Sequence, residues 1–449
     1  MISVSIILPL LAAAFALRST RIAQARNVTL AALAATLALS AWTLTEVLRG
    51  TGGFLPDSAL RAWLAADNLS AVLMVLFPAL ALVTVAAAPQ RDTDRHFLAI
   101  TLAVVSATLT TYAARNNFLM LAAWTTALLP CILGSGRRGW PTLSRCTLGA
   151  SCVALAVAFA VGGSGVGLVA LVLAAILRTG LFPAHRGVAA TLGGSGLLPS
   201  ALVMNSFPGL YLLARMVVPQ LAAEAPHLLP WLGVLALLSC LLMAILALAE
   251  KTVEGLLASV FVSQACALFA GLTTRTPEGI TGALLQWLVL AICSTVMLSV
   301  YRALHARTDG DIAGSGFNGF AAAAPRFAVL FALAALALAG LPGTLGFSGE
   351  DLLMHGALVA HGWFGVVLPV AIALNAWHVY RLFAVLFMGE PRIAPVNLRD
   401  ALPRERLSLF AALAILIWLG LVPGHAVQLR DPAVRLILGS EPAVTSSLP

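Results

Sequence analysis

The sequence predicts an all-α, polytopic membrane protein of about 14 transmembrane helices. Three observations carry this. Of 449 residues, 60% are apolar and only 10% are charged, where a soluble domain carries about 25% charged residues. The mean hydropathy is +0.98. Apolar runs recur from end to end, and at about 20 residues per span the 449 residues hold roughly 14 of them. The abundance of Leu, Ala and Val excludes disorder. The net charge of +8 is scattered, with no basic stripe for nucleic acid to bind.

The elements follow in order. The run 2–17 has no basic leader and no small-residue cleavage site, so it reads as a retained span and not a cleaved signal peptide. Runs 28–49, 69–88 and 96–114 are bounded by Arg26, Arg91 and Arg95. Runs 117–134 and 146–163 are parted by Arg137, Arg138 and Arg145. The seventh, 165–184, ends in Gly180-Leu181-Phe182-Pro183. Runs 198–219, 228–249, 253–273 and 279–302 follow, with Lys251, the only lysine, between the second and third of these. The run 326–357 is interrupted by Gly340-Leu341-Pro342-Gly343-Thr344, and 361–388 and 407–424 complete the series. Breaks at membrane depth are tolerated where backbone lines a cavity or is buried in protein. The loops 50–68 and 303–325 are too small for a soluble domain, so a catalytic or redox domain would lie in another chain.

Arginines crowd alternate loops, those after spans 1, 3, 5, 11 and 13. The positive-inside rule then places both termini outside the cytoplasm. Four regions are expected: residues 1–95 (helices 1–3), 96–219 (helices 4–8), 226–390 (helices 9–13) and 391–449 (helix 14 and a tail). The two middle regions are five-helix units, each with a broken fourth helix. Adjacent five-helix units have opposite topology, which is the inverted-repeat logic of transporters. The six cysteines lack C-x-x-C spacing and read as small buried hydrophobes.

Several segments, in chain order from about residue 67 to 390, carry a resemblance. They are Asp67-Asn68-Leu69-Ser70; Asn116-Asn117-Phe118-Leu119 with Trp124 and Pro130; and Arg178-Thr179-Gly180-Leu181-Phe182-Pro183-Ala184-His185. Pro199-Ser200-Ala201-Leu202 with Gly209 and Arg215, Leu256-Leu257-Ala258 with Ser263-Gln264, and Gly340-Leu341-Pro342-Gly343-Thr344 with Phe347-Ser348-Gly349-Glu350 complete the set. Together they resemble the antiporter-like membrane subunit shared by respiratory complex I, membrane-bound hydrogenases, Mrp-type cation/proton antiporters and DAB-type inorganic-carbon uptake complexes. The resemblance implies 14 helices, two inverted five-helix repeats, and a mid-membrane line of ionisable residues on helices 5, 7, 8, 11 and 12. Desolvated carboxylates and amines titrate nearer neutral pH, which suits proton exchange. Here the helix-5 glutamate position holds Thr125, and the helix-7 lysine position holds Arg178. Met204-Asn205-Ser206-Phe207-Pro208 stands in place of the helix-8 cation, and the helix-11 positions read Gln286, Leu290 and Ser294. Only Glu350 keeps a titratable identity in that line.

The proton-pathway candidates are therefore Glu350, Arg178, His185 and His378. Glu350 is the best exchange site; its structural alternative is to cap a half-helix after Gly349. Arg178 is costly near the bilayer centre and stays protonated, so it serves as an electrostatic post or as a pin for the helix break. His185 and His378 are pH-switchable in principle and packing residues by default. Asp351 reads as structural, and His355, five residues beyond Glu350, lies off its face. Arg381 is a candidate to face Glu350, and the Trp and Tyr residues read as interfacial anchors. No metal constellation, cofactor motif or nucleophile triad is visible.

The expected function is a membrane subunit of a proton-translocating complex, itself non-catalytic. It would work with other membrane subunits and a cytoplasmic catalytic or redox partner, in the inner membrane of a bacterium. Two alternatives are the membrane partner of a DAB-type inorganic-carbon complex and a non-conducting scaffold.

Overall fold

A computed structural model of the chain describes residues 1–50, 63–133, 142–193, 202–203, 207–308, 312, 314, 316–391 and 399–439. Among the described residues the chain is helical, with one isolated antiparallel bridge between Leu64 and Ala114. The first half holds α1 (Ile2–Arg18), α2 (Ile22–Leu48), α3 (Asn68–Ala87), α4 (Arg95–Ala113), α5 (Asn117–Leu133), α6 (Thr142–Val161), α7 (Gly165–Thr179) and the short α8 (His185–Ala189). Next come α9 (Pro208–Leu212) and α10 (Val218–Glu224), joined through a π turn at Leu213–Val217. The second half holds α11 (Leu228–Ala249), α12 (Val253–Thr273), α13 (Pro277–Arg307), α14 (Pro325–Leu338), α15 (Leu345–His361), α16 (Val367–Phe387), α17 (Pro403–Leu421) and α18 (Pro423–Leu438).

Helix occupies described residues in every stretch read as a span. By length and apolarity eight stretches among the described residues qualify, or nine if α17 and α18, bent by 91°, count as one. One of the eight, Leu345–Phe387, contains both α15 and α16. The apolar helices α1, α5, α7 and α14 are shorter.

Several boundaries shift for physical reasons. Helix α2 begins at Ile22 instead of 28 because Arg26 does not end it: one guanidinium nitrogen donates to the carbonyls of Val85, Ala86 and Ala88 at the end of α3, at 2.9–3.1 Å. Helix α13 runs past 302 because Arg302 pairs with Asp92 at 2.6 Å and Arg307 with Glu405 at 2.7 Å. The expected tail contains α18. Its buried residues Ala426, Arg430, Ala433, Val434 and Ile437 keep the spacing of one helical face, which Arg430, Asp431 and Pro432 obscure in the sequence.

Helices α12 and α13 form the centre. Every residue from Leu256 to Thr273 and from Gly279 to Tyr301 is buried, as expected of helices enclosed all round. Helices α11, α14, α15 and α16 pack around them, and α3, α17 and α18 close the side of α13. Asp67 caps α3 in a reciprocal box with Ser70 and forms an ion pair with Arg215. Trp124, Trp287, Tyr112 and Tyr211 are buried core residues, not interfacial anchors. Among the cysteines, Cys146 is exposed and Cys152 half-buried, against the expectation; Cys131, Cys240, Cys266 and Cys293 are buried.

Candidate functional site

Two helix breaks organise the site. A helix terminus leaves carbonyls and amides without intrahelical partners, and in a membrane these must be satisfied by protein. At the first break, α7 stops at Gly180, whose φ of 94° is left-handed. The Gly180 carbonyl accepts from Cys266 Sγ of α12 at 3.7 Å, and the Phe182 N–H donates to Ser239 Oγ of α11 at 3.0 Å. The neighbouring helices thus supply the missing partners. At the second break, Leu341 N–H donates back to Leu336 O at 2.9 Å, and Thr344 Oγ donates to Leu341 O at 2.7 Å.

Helix α15 starts at Leu345, so Glu350 lies in its second turn and does not cap its N-terminus. The capping alternative for Glu350 is set aside on that ground. Its carboxylate folds back over the break against Gly340, where a Cβ would collide with Oε2; Gly340 itself has φ 73°. Glu350 is 6% exposed. Gln286 Nε2 of α13 donates to its Oε1 at 3.3 Å, and Gln264 of α12 sits against the same carboxylate. Two buried amides therefore flank the acid, and one of them, Gln286, stands at a helix-11 position of the expected ionisable line.

A second polar cluster begins one residue from Gln264. Ser263 Oγ donates to Cys240 O at 2.8 Å, accepts from Asn375 Nδ2 at 2.9 Å, and lies 3.4 Å from Cys240 Sγ. It ties α11, α12 and α16 together in the middle of the bundle. The far oxygens Gln286 Oε1 and Asn375 Oδ1 have no hydrogen-bond partner among the described residues. Buried polar atoms are rarely left this way.

The other candidates occupy separate places. Arg178 is buried at the end of α7 and donates to Val203 O at 2.7 Å. Cys131, Cys152 and Tyr112 are the ionisable side chains around it. Beside it, a cavity of about 20 Å³ is lined by Thr179, Phe207, Val262 and Ala265 among others, which is room for about one water. His185 opens α8, stacks on Phe182 at 5.8 Å, and has no partner at Nδ1 among the described residues. His378 is fully buried on α16 and donates from Nε2 to Ala244 O at 2.8 Å. No hydrogen bond or ion pair among the described residues joins any two of the four.

Some side readings change. Arg381 does not face Glu350; it donates to the carbonyls of Ala247, Leu248 and Glu250 and caps α11. Asp351 and His355 are exposed. Thr125 spends its hydroxyl on Leu121 O at 2.8 Å within α5. The stretch 204–206 of the helix-8 position and residues 199–201 lie outside the described residues. Sequence reasoning passed over Asn375, whose one signal was an amide inside a long apolar run.

The described residues define a class of fold: an all-helical membrane bundle with two broken helices and one carboxylate buried over the second break. The family model described as "NADH:quinone oxidoreductase/Mrp antiporter, TM" matches residues 103–374, and the chain belongs to that family. It is 26% identical over 279 residues to NADH-quinone oxidoreductase subunit M of Rickettsia bellii, covering 60% of this chain and 55% of the relative. It is 32% identical over 240 residues to NADH-quinone oxidoreductase subunit N 2 of Roseiflexus castenholzii, covering 51% of this chain and 47% of the relative. The chain thus spans about half the length of the curated relatives it matches. In fold it is similar to a chain of respiratory complex I from Thermus thermophilus, with a TM-score of 0.85 at 22% identity over 98% of this chain and 99% of that one. A chain of the Mrp complex from Dietzia sp. DQ12-45-1b gives 0.82 at 18% identity over 97% of both.

Proposed function

We propose that the chain is a proton-translocating membrane subunit of a multi-subunit complex, and that Glu350 is its proton-exchanging group. The observation that carries this is the placement of Glu350: a carboxylate buried over a helix break, flanked by Gln286 and by Gln264, which directly follows Ser263 of the Ser263–Asn375–Cys240 cluster. An intramembrane acid is expensive and is a functional site by default. The two breaks occupy matching places in the two five-helix units, residues 96–219 and 226–390, as inverted repeats require. Arg178 is a fixed, buried cation beside the first break and shapes the field without exchanging protons. His185 and His378 are secondary: each has one ring nitrogen, Nδ1, with no hydrogen-bond partner among the described residues.

The relatives' names place them as subunits of larger complexes, which supports other membrane subunits as partners. A cytoplasmic catalytic or redox partner, a bacterial inner membrane and termini on the non-cytoplasmic side complete the proposal, the last from the arginine bias of the loops. The test is proton flux in liposomes carrying the purified assembly. Glu350→Gln should lower flux by at least about 100-fold, the scale of a lost acid–base group. Unchanged flux would leave the chain a scaffold.

A further inference from the structure

A cavity of about 480 Å³ opens between the start of α2, the end of α3 and the start of α17. Two arginines line it, Arg26 and Arg404, together with the polar Asn27, Gln90 and Thr93 and the apolar Ile22, Leu30 and Ala86. Arg26 is 8% exposed. Its Nη2 is committed to the α3 carbonyls, but its Nη1 has no hydrogen-bond partner among the described residues, and neither has the Nε of Arg404. The two guanidinium groups act on each other as like charges. The nearby carboxylate, Glu405, is buried and taken by Arg307 at 2.7 Å and by the Leu402 N–H at 2.9 Å. The cavity is therefore cationic, under-satisfied in donors, and walled on one side by aliphatic surface. It lies at the α2 end that carries Arg21 and next to Gln90–Asp92, which holds Arg91.

We infer that this cavity binds a phosphate group. Two guanidinium groups with idle N–H donors fit its charge and its oxygens. The wall of Ile22, Leu30 and Ala86, continuous with the exposed outer face of α2, favours a phosphate carried by an anionic phospholipid, whose chains would lie along α2. Basic pockets between helices at the membrane interface take such headgroups.

The experiment uses the full chain with its accompanying subunits, delipidated in detergent, and reads thermal stability against added phosphatidylglycerol, phosphatidylcholine or inorganic phosphate. Phosphatidylglycerol should raise the melting temperature at a saturable, low-micromolar level while phosphatidylcholine does not. Arg404→Gln should weaken that response about 5-fold, the scale of one interfacial arginine. Arg186→Gln, which removes the same charge outside the cavity, should leave it unchanged. Arg26 is not the first choice, because its loss also uncaps α3. Equal responses to both lipids, or equal responses from Arg404→Gln and wild type, would overturn the site. Protection by inorganic phosphate alone, abolished by Arg404→Gln, would uphold the phosphate chemistry and overturn the lipid source.

Discussion

Gly340 and Glu350 form one unit, and each explains the other. A left-handed backbone costs an L side chain about 1–2 kcal/mol, and Gly340 holds φ 73°. The missing Cβ at that residue is also the space that Oε2 of Glu350 occupies. Gly343, three residues on, has φ 91° but open space around it. The two glycines therefore separate backbone strain from site damage. Gly340→Ala should lower both thermal stability and proton flux, because it displaces the carboxylate. Gly343→Ala should lose only about 1–2 kcal/mol of stability and keep its flux. Equal flux loss in both variants would show that the break, and not the carboxylate's seat, limits conduction. Glu350 was legible in the sequence because a carboxylate stands out in an apolar run behind a glycine–proline break. Its neighbours were less so: Gln286 was readable only as a substituted line position, and the contact of Gln264 depends on a helix register the sequence does not display.

Among the elements, arginine side chains finish helices in this protein. Arg26 ends α3 and Arg381 ends α11, each by donating to several carbonyls of the last turn. A guanidinium with five donors suits that task. This is why a chain with a single lysine still carries cations next to and inside its apolar runs: Arg26 and Arg381 are caps. Arg381→Leu should therefore cost about 1–3 kcal/mol, the range for stranded buried acceptors, visible as a lower melting temperature. Its flux per folded molecule should match wild type. A large flux loss at unchanged stability would give Arg381 a part in conduction. Charge within an apolar run also misplaced the boundaries of α2, α13 and α18, because a hydropathy reading cannot tell a capping or paired arginine from one that ends a span. The breaks themselves were legible, since Gly and Pro are explicit in the sequence.

At the scale of the whole molecule, the two breaks are joined through α11 and α12. Ser239 of α11 satisfies the first break, and Ser263 of α12, which gathers α11 and α16, directly precedes Gln264, a partner of Glu350 at the second. The family fold was readable because apolarity, break positions and motif order are all linear properties of the chain. The connection between the halves was not, because neutral hydroxyls and amides look like ordinary packing residues until their partners are known. Among the described residues, two glutamines flank the buried Glu350, and a serine, an asparagine and a cysteine cluster next to one of them, none of which carries a charge. Conduction through such groups depends on hydrogen-bond order and on water, so its hub should be sensitive to removal of one oxygen. Ser263→Ala and Ser239→Ala delete the same group from adjacent helices, and each should cost about 1–3 kcal/mol of stability. Only Ser263→Ala should also reduce proton flux, by about 10-fold or more if it removes a general acid–base contact. Ser239→Ala, which strands the Phe182 N–H at the break, serves as the structural control. If both variants conduct like wild type, protons do not pass through the Ser263 cluster, and Glu350 must exchange directly with another subunit of the complex.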